Sequence, residues 1–401
     1  MFGQGKKILV GVTGGIAAYK TAFLIRELKK LGAQVRVMMT DSATRFVAPL
    51  TFETLAESAV AVELFSGAHS VATAHIDWAR WPDLIVICPA SANTIAKIAH
   101  GFADNMLTTT VLASKAPLLI CPAMNVEMYK NPLYRQNEET LKRAGCIVVA
   151  PGEGELACGE TGIGRLAELE DILDAVAYAL TPHTLSGRKV LVTAGPTREA
   201  IDPVRFLSNR SSGKMGYALA ECAAWRGAEV TLISGPSSLR PSLRWTFKAI
   251  ETVSQMAESV EASLPNTDVL IMAAAPADFA PVAAAPQKIK KSASLQLQLE
   301  KTPDILKTVG QIKGKRLLVG FALETEHGIE NARRKLVEKN CDLMVLNHAL
   351  TPGAGFEVET NQVTLLFADG AIEELPMISK RQTAQQILNA VETLLAQKSK
   401  P

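Results

Sequence analysis

Short, almost uninterrupted apolar runs alternate with stretches of helical periodicity along the first half of the chain. Residues 8–12 predict a buried strand, residues 16–31 a helix that ends at Gly32, and residues 35–39 a second strand. Similar apolar runs occupy residues 84–88, 118–121 and 146–150, each followed by a turn and a helical stretch. Continuous apolar strands separated by helices indicate a parallel sheet that is covered on both faces.

The same pattern restarts after a breaker-rich segment at residues 181–187, which we interpret as a linker. Strands are predicted at residues 189–194, 229–233, 268–273, 316–321 and 342–346, with a helix at 214–226. Residues 362–367 and 371–375 flank a glycine-bearing turn and predict a hairpin. The fold class expected is therefore α/β, with two doubly wound parallel-sheet domains over residues 1–183 and 187–401.

Composition and charge narrow the class of protein. A chain of 401 residues with 48% hydrophobic and 20% charged residues is typical of a soluble globular protein of two or three domains. The net charge of +2 gives no reason to expect nucleic acid or a membrane as a partner. No run approaches the roughly 18 apolar residues of a spanning helix. The six scattered cysteines form no C-x-x-C pair, so we expect reduced thiols and a cytoplasmic protein.

Two loops at the ends of predicted strands are suited to a phosphate-bearing ligand. Gly14 and Gly15 follow the first strand, where backbone N–H groups at a helix N-terminus attract anions. Ser91, Asn93 and Thr94 follow the strand at residues 84–88. Such loops meet at the crevice of a doubly wound sheet. A mononucleotide fits better than a dinucleotide, since no ribose-binding acid stands about 20 residues further on. A tight βα turn explains the glycines equally well.

Three further residues of the first half suggest acid–base chemistry. Asn125 directly follows an apolar strand, and a buried amide there needs partners. Cys158 lies in a glycine-rich loop, which we expect to act as a mobile lid. Together with His75 they suggest an amide that holds a carboxylate, a base and a thiol acid. His75 taken alone reads more readily as a surface or capping histidine, and Cys158 taken alone is as readily an inert small residue.

These motifs resemble the flavin-dependent cysteine decarboxylase family. That family combines a histidine, a P-x-M-N-x-x-M-W segment and a loop with a reactive cysteine. The matches here are His75, residues 122–129 and residues 156–165. Tyr129 stands where the family pattern has tryptophan. The resemblance implies a flavodoxin-like domain with FMN as cofactor. It assigns Cys158 as the acid, His75 as the base or substrate-orienting group, and Asn125 as the carboxylate anchor. The residues expected to hold the cofactor are Gly14, Gly15, Thr40, Ser91, Asn93 and Thr94.

The second half has an anion-binding pattern of its own. Residues 209–214 carry amides, hydroxyls and a lysine at the start of a predicted helix, although a capping loop is the plainer explanation. A segment rich in alanine and proline, which we expect to be mobile, contains Lys288, Lys290 and Lys291. Its cations could close over a triphosphate. Such a run of charges is, however, usually just solvated.

This half resembles phosphopantothenate–cysteine ligases in residues 192–199, 201–205, 208–216 and 288–291, and so implies a Rossmann-like ligase domain. The resemblance assigns catalysis to Asn209 and Lys288. It places the nucleotide at Asp278, Lys288, Phe321, Lys335 and Lys339, with Asp278 and Phe321 just beyond strand ends.

The order of the two halves is that of bacterial bifunctional coenzyme A biosynthesis proteins, which join a phosphopantothenoylcysteine decarboxylase to a phosphopantothenate–cysteine ligase. The resemblance implies that 4'-phosphopantothenate is activated by CTP with Mg²⁺ as an acyl-cytidylate and joined to cysteine. The product is then decarboxylated with FMN to 4'-phosphopantetheine. It also implies a homo-oligomer of trimeric flavin domains and dimeric ligase domains. The ligands of the metal are not identified by the sequence.

Two other classes of function stay open from the residues alone. One is a different flavin enzyme of the same fold, such as a flavin prenyltransferase, although the Cys158 loop and the second half argue against it. The other is a non-catalytic flavin- or nucleotide-binding protein, in which the loops only hold a ligand.

Overall fold

The computed structural model describes residues 2–64, 74–155, 159–242, 244–290, 295–348, 355 and 358–398. The chain divides into two compact units, Met1–Thr181 and Pro182–Pro401. The division falls at the start of the breaker-rich segment, close to the predicted domain limits at residues 183 and 187. Each unit has its own sheet and is described separately.

The strands of the first unit are β1 (Lys7–Val12), β2 (Gln34–Met39), β3 (Val60–Ala61), β4 (Leu84–Ala90), β5 (Leu118–Pro122), β6 (Ile147–Val148), β7 (Gly152–Glu155) and β8 (Thr161–Arg165). Its helices are α1 (Thr21–Lys30), α2 (Asp41–Thr44), α3 (Pro49–Ala56), α4 (Ala74–Arg80), α5 (Ala92–Ala99), α6 (Met106–Ala113), α7 (Val126–Lys130), α8 (Pro132–Arg143) and α9 (Leu169–Leu180). A short 3-10 helix, Ile16–Lys20, precedes α1.

Six of these strands form one parallel sheet in the order β3-β2-β1-β4-β5-β6. Without the two-residue edge strand β3, this is the flavodoxin order, in which the first strand lies between the second and the third. Side chains of β1 alternate between two buried layers: Ile8 and Val10 pack with α1 on one face, and Leu9 with the core beneath α5 and α6 on the other. The predicted flavodoxin-like fold and the covering of both faces are confirmed.

Two local expectations for this unit need correction. The apolar run at residues 146–150 forms only the two-residue strand β6. The antiparallel hairpin of β7 and β8 was not predicted, because its strands are rich in glycine and glutamate and contain no apolar run.

The strands of the second unit are β9 (Lys189–Ala194), β10 (Arg198–Ala200), β11 (Phe206–Ser208), β12 (Glu229–Ser234), β13 (Thr246–Ala249), β14 (Val269–Met272), β15 (Phe279–Pro281), β16 (Leu299–Lys301), β17 (Leu317–Glu324), β18 (Leu343–His348), β19 (Thr360–Asn361), β20 (Val363–Phe367), β21 (Ile372–Glu374) and β22 (Ile378–Ser379). Its helices are α10 (Lys214–Trp225), α11 (Val253–Ser263), α12 (Ile305–Gln311), α13 (Gly328–Glu338) and α14 (Lys380–Lys398), with a 3-10 helix at Leu264–Asn266.

Eight strands of this unit form a sheet in the order β13-β12-β9-β14-β17-β18-β20-β21. The first six are parallel and, counted among themselves, follow the Rossmann order 3-2-1-4-5-6. The last two are antiparallel and form the hairpin predicted for residues 362–375, which is confirmed. Three small two-stranded sheets, β10-β11, β15-β16 and β19-β22, were not predicted and lie outside this sheet.

Three absences hold for the part of the chain that the structure describes. No helix there is long and apolar enough to cross a membrane. The five cysteines in that part are not disulfide-bonded. No group of three or more histidine, cysteine, aspartate or glutamate side chains there could hold a metal ion.

Candidate functional sites

Thr13 joins two loops at the carboxyl edge of the first sheet. Its buried hydroxyl donates to the carbonyl oxygen of Pro89 (2.8 Å) and accepts from the backbone N–H of Ser91 (2.8 Å). Ser91 in turn caps α5, because its Oγ accepts from the N–H of Thr94 (3.3 Å). The glycine loop after β1 and the Ser91 loop after β4 are therefore held side by side, next to the strand at which the order of the sheet reverses.

Thr40 and the two glycines complete this edge. The N–H of Thr40 donates to the carbonyl of Val12 (3.0 Å), while its Oγ1 is buried and has no hydrogen-bond partner among the described residues. A Cβ at Gly14 would lie 2.5 Å from Cβ of Ser42, so only glycine lets α2 approach here. Gly15 faces open space, and Asn93 is exposed. The buried hydroxyl of Thr40 has no partner within the described part of the chain, and the glycine loop beside it faces open space. Both would fit hydrogen bonding to a cofactor that carries a phosphate group.

Asn125 lies at the same edge, one strand further along. The N–H of Ala123 donates to the carbonyl of Ala90 (3.1 Å), which ties the end of β5 to that of β4. The half-buried Asn125 then caps α7, since its Oδ1 accepts from the N–H of Glu127 (2.8 Å). Its Nδ2 donates to Oε2 of Glu160 (2.6 Å), just before β8. The amide is thereby oriented by the segment that leads into the second strand of the hairpin.

The β7–β8 hairpin packs on this segment through backbone contacts. The N–H of Met124 donates to the carbonyl of Gly164 (2.9 Å), and a Cβ at Gly164 would lie 2.4 Å from the carbonyl oxygen of Met124. Gly164 also has a positive φ of 144°, which favours glycine. Both the backbone conformation and the close carbonyl therefore exclude a side chain at this position. Cys158 lies outside the described residues, between the paired ends Glu155 and Thr161 of the two strands.

His75 lies in the first turn of α4 and is half-buried. No hydrogen bond or ion pair joins it to Asn125 within the described ranges. Tyr129, which stands where the family pattern has tryptophan, is buried in a packed cluster. Its ring centroid is 5.3 Å from that of Tyr134, and the guanidinium of Arg135 lies 4.9 Å above it. The substitution is thus accommodated by aromatic and cation–π packing.

The second unit contains a cavity of about 580 Å³ at the carboxyl edge of its sheet. The predicted residues that line it are Asn209, Asp278, Phe321, Lys335 and Lys339. These residues come from four separate stretches of the chain, and the fold brings them together. Altogether five lysines and two aspartates line the cavity, so its lining favours an anionic ligand.

Hydroxyls and one amide fasten the loop after β14, which forms one wall. The N–H of Ala274 donates to Oγ1 of Thr193 (3.2 Å), and that of Ala277 to Oγ1 of Thr197 (3.0 Å). Nδ2 of Asn209 donates to the carbonyls of Ala275 (3.0 Å) and Pro276 (2.9 Å). Asn209 therefore positions this wall as well as lining the cavity.

Lys335 in α13 and Lys339 directly after it are held by carboxylates of neighbouring segments. Nζ of Lys335 lies 2.6 Å from Glu324, and Nζ of Lys339 lies 3.1 Å from Asp304. Phe321 lies within β17, which runs on to Glu324, and not beyond the end of the strand as expected. The predicted strand, residues 316–321, ends three residues before the observed one.

Lys288 does not line the cavity. It is exposed, and the backbone of its neighbour Ile289 is hydrogen-bonded to the side chains of Asp202 and Arg205. Lys290 is also exposed, and Lys291 lies outside the described residues. The described geometry therefore separates Lys288 from the other residues predicted to bind the nucleotide.

Six polar residues of the cavity were not predicted: Lys301, Thr302, Asp304, Asn347, Asn361 and Lys380. Lys380 is only 6% exposed, and its Nζ donates to the carbonyl of Gly355 (2.9 Å). Burial, and then the nearby Lys214, lower the pKa of Lys380 to about 8. Lys214 also lines the cavity and lies in the predicted anion-binding segment 209–214. No motif singled out the six other residues, because nothing in the sequence shows that the fold brings them to one cavity.

Comparisons with known proteins agree with this two-part organisation. Residues 3–181 match the Flavoprotein family, and residues 185–395 match the DNA/pantothenate metabolism flavoprotein C-terminal domain. A Bacillus subtilis protein named coenzyme A biosynthesis bifunctional protein CoaBC is 46% identical over 399 residues, which is 98% of each chain. A Vibrio vulnificus protein of the same name is 42% identical over 395 residues, again 98% of each chain.

Among solved structures, the C-terminal domain of a coenzyme A biosynthesis bifunctional protein CoaBC is 44% identical. It covers 54% of this chain and 99% of its own, with a TM-score of 0.47. The two family matches show that the first unit is a flavoprotein domain and that the second is a DNA/pantothenate metabolism flavoprotein C-terminal domain. The chain as a whole belongs to the family of coenzyme A biosynthesis bifunctional proteins.

Proposed function

We propose that this chain catalyses two consecutive steps of coenzyme A biosynthesis. The second unit joins 4'-phosphopantothenate to cysteine at the expense of CTP. The first unit then decarboxylates the resulting 4'-phosphopantothenoylcysteine to 4'-phosphopantetheine with FMN. The observation that carries the proposal is the relationship over 98% of the chain to bifunctional proteins of this pathway. The lysine-lined cavity and the loop edge around Thr40 are the sites that would serve the two reactions.

The ligation needs an activated carboxylate, because a free carboxylate is a poor acyl donor. In the proposed first step, the carboxylate oxygen of 4'-phosphopantothenate bonds to the α-phosphorus of CTP. The bond to the β-phosphate breaks, and pyrophosphate leaves with its electron pair. Cysteine's amine then displaces CMP from the acyl-cytidylate. Mg²⁺ would neutralise the phosphates together with the lysines of the cavity.

Individual residues take distinct parts in this scheme. Asn209 lines the cavity and holds the loop after β14, so we assign it to the acyl-cytidylate. Lys335, Lys339, Asp278 and Phe321 surround the nucleotide. Lys288 is assigned to the first step on the resemblance alone. Since it is exposed, its role requires that its segment close over the nucleotide once that is bound.

In the first unit, FMN would supply a two-electron acceptor that oxidises the thiol-bearing carbon, so that carbon dioxide can leave without an unstabilised carbanion. Gly14, Gly15, Thr40, Ser91, Asn93 and Thr94 are assigned to hold it. Asn125, oriented by Glu127 and Glu160, would anchor the substrate carboxylate. His75 would orient the substrate or accept a proton, and Cys158 would donate the final proton.

The assembly proposed is a homo-oligomer that works in the cytoplasm. Large apolar side chains are exposed on the first unit, including Phe23, Leu50 and Phe102, and we assign them to contacts in a trimer of flavin domains. Phe206, Phe279 and Leu299 are similarly exposed on the second unit and are assigned to a dimer of ligase domains. The described cysteines are unpaired, as in a reducing compartment.

The decisive experiment follows both reactions in one sample of purified chain. The protein should be yellow, with a flavin spectrum. Incubated with CTP, Mg²⁺, 4'-phosphopantothenate and cysteine, it should yield 4'-phosphopantetheine by mass spectrometry. A colourless protein that still forms this product would refute the flavin mechanism. A yellow protein that forms neither ligated nor decarboxylated product would favour another flavin enzyme or a binding protein.

A further inference from the structure

Arg36 of β2 contacts two indole rings of the segment that carries His75. Its guanidinium carbon is 4.4 Å from the centroid of the Trp81 ring and 5.3 Å from that of the Trp78 ring. Both distances lie within the roughly 6 Å over which the face of an aromatic ring attracts a guanidinium. Arg36 is half-buried, and no carboxylate of the described residues forms an ion pair with it. Its cation is therefore held by the two indoles in that part of the chain.

Further contacts of this segment fix the direction of α4. The helix packs against α6, where Oγ of Ser114 donates to the carbonyl of Ala79 (2.7 Å). After the helix, a carboxylate oxygen of Asp83 accepts from the N–H of Lys7 (2.8 Å), and the N–H of Asp83 donates to the carbonyl of Lys7 (2.7 Å). Lys7 is the first residue of β1. The end of α4 thus lies at the amino edge of the first sheet, and its start points towards the carboxyl edge.

The rise of the helix places His75 at the level of that carboxyl edge. Arg36 is in register with Leu9 of β1, three residues before each strand ends. His75 precedes Trp81 by six residues, which is about 9 Å along a helix. Three residues of a strand span about 10 Å. Since Trp81 contacts Arg36, His75 lies about level with the loop that follows β2 and begins at Thr40.

His75 itself is not fastened by a polar contact. Its side chain is half-buried and forms no hydrogen bond or ion pair with any residue that the structure describes. Trp78 follows it by three residues, so the two side chains are neighbours on one face of α4. The position of the imidazole is therefore set by the placement of α4. That placement depends on the contacts of Arg36 with the two indoles.

We propose that Arg36 is a positioning residue for His75: its contacts with Trp78 and Trp81 fix α4 so that the imidazole reaches the substrate at the carboxyl edge of the first sheet. The inference rests on the proposed function of the first unit, in which His75 orients the substrate or accepts a proton. Arg36 lies three residues before that edge, so it acts through α4 and does not touch the substrate. Catalysis is sensitive to such placement, because a displacement of about 1 Å can cost about 100-fold in rate.

The first test measures decarboxylation of supplied 4'-phosphopantothenoylcysteine by the full FMN-bound chain. Arg36→Met keeps most of the side-chain length but removes the cation, and it should lower kcat about 10-fold. KM should stay within about two-fold of the parent value, since Asn125 still holds the substrate carboxylate. Arg36→Lys keeps a cation that can lie on an indole face and should recover part of the loss. Arg143→Met removes an exposed arginine of α8 and is the matched control, with the kinetics of the parent.

A double-mutant cycle separates positioning from a general loss of packing. His75→Gln removes the imidazole, so adding Arg36→Met to it should lower kcat by less than about two-fold more. If Arg36 acted on the fold as a whole, the two losses would instead multiply. Should Arg36→Met fold poorly, Arg36→Lys takes its place in the same cycle. The cycle therefore measures whether the effect of Arg36 passes through His75.

Hydrogen exchange gives a measurement that needs no activity. In the FMN-bound chain, Arg36→Met should speed amide exchange in peptides that cover residues 75–82 and leave those of α8 unchanged. Parent kcat in Arg36→Met, losses that multiply in the cycle, or unchanged exchange in α4 would each overturn the proposal. A parent chain that does not decarboxylate would refute the proposed function, while faster exchange in Arg36→Met would still show that Arg36 fixes α4.

Discussion

The carboxylate of Asp202 accepts a hydrogen bond from the backbone N–H of Ile289 at 3.1 Å, directly beside Lys288. Its other oxygen accepts from the N–H groups of Val204 and Arg205, both at 2.8 Å. The guanidinium of Arg205 closes the arrangement by donating to the carbonyl of Ile289 (2.6 Å). One buried carboxylate thus fastens the segment that carries Lys288 to the turn between β10 and β11.

Asp202→Asn should slow formation of the acyl-cytidylate by about ten-fold, because one charged acceptor holds three N–H groups here. Decarboxylation of supplied 4'-phosphopantothenoylcysteine should be unchanged. Pyrophosphate release measures the first activity, and carbon dioxide release the second. Asp369→Asn, at an exposed turn where the carboxylate accepts from Ala371 (3.0 Å), is the control and should leave both rates unchanged. An Asp202→Asn variant with the parent's rate would contradict the anchoring role.

The same carboxylate predicts a dependence of stability on pH. Burial alone would raise the pKa of Asp202, but the N–H groups of Val204, Ile289 and Arg205 lower it below its usual value. A lowered folded-state pKa contributes stability above the unfolded value of about 3.9, and this contribution is lost as pH falls through the folded value. The parent should therefore lose its advantage over Asp202→Asn in acid. Denaturant unfolding of both proteins between neutral pH and acid tests this, and a constant difference would refute it.

Lys288→Gln should abolish pyrophosphate release, because the proposed first step needs its cation against the leaving phosphates. Lys307→Gln removes another exposed lysine, one that does not line the cavity, and should release pyrophosphate at the parent rate. The measurement is a coupled pyrophosphate assay with 4'-phosphopantothenate and CTP and without cysteine. Release at the parent rate by Lys288→Gln would remove this residue from the mechanism.

Thr40→Val should affect the free and flavin-bound protein in opposite ways. The variant removes a buried hydroxyl that has no described partner, so the apoprotein should be as stable as the parent or slightly more so. FMN affinity should fall about 3- to 10-fold, equivalent to roughly 0.5–1.5 kcal/mol for one lost hydrogen bond. Thermal unfolding and fluorescence titration with FMN measure the two effects.

Thr21→Val is the matched control for that experiment. The buried hydroxyl of Thr21 donates to the carbonyl of Cys88 at 2.6 Å, so its loss should destabilise the protein by about 1–3 kcal/mol. A destabilised Thr40→Val apoprotein with unchanged FMN affinity would mean that Thr40 has only a structural role.

Asn125→Asp should lower kcat/KM of decarboxylation by about 100-fold or more. The carboxylate can still cap α7, but it loses the donor to Glu160 and repels the substrate carboxylate. Asn131→Asp changes the equivalent cap of α8, where the side chain accepts from Leu133 (2.9 Å), and should have little effect. Ligation should be unchanged in both. Carbon dioxide release from 4'-phosphopantothenoylcysteine is the readout, and equal rates for the two variants would exclude Asn125 as the carboxylate anchor.

Cys158→Ser should release carbon dioxide at the parent rate but accumulate the oxidised enethiol, because the final proton donor is missing. The flavin should remain reduced and lose its yellow colour. Cys146→Ser is the control: burial raises the pKa of this thiol, and it lies directly before β6. That variant should form 4'-phosphopantetheine normally. Recovery of this product from Cys158→Ser would show that another group donates the proton.

Much of the fold follows from local patterns that act along the chain. The apolar runs at β1, β4, β9 and β14 are buried on both faces, and an apolar run of that kind without polar alternation is stable only in a covered parallel sheet. The start of α10 at Lys214 was likewise predicted, from Gly213 and the polar loop that precede it. The β7–β8 hairpin was not predicted from the sequence, because it depends on packing against Met124 and Asn125 from another part of the chain.

The sequence by itself determined the two α/β units, the family and five of the residues that line the cavity of the second unit, because these depend on periodicity and short motifs. Only the tertiary structure decided that Lys288 lies apart from that cavity, and that Lys380 and Asn361 lie inside it. Burial and charge proximity arise between segments far apart in the chain. A lysine's desolvation therefore has no local signature, and it becomes visible only when the elements around it are packed.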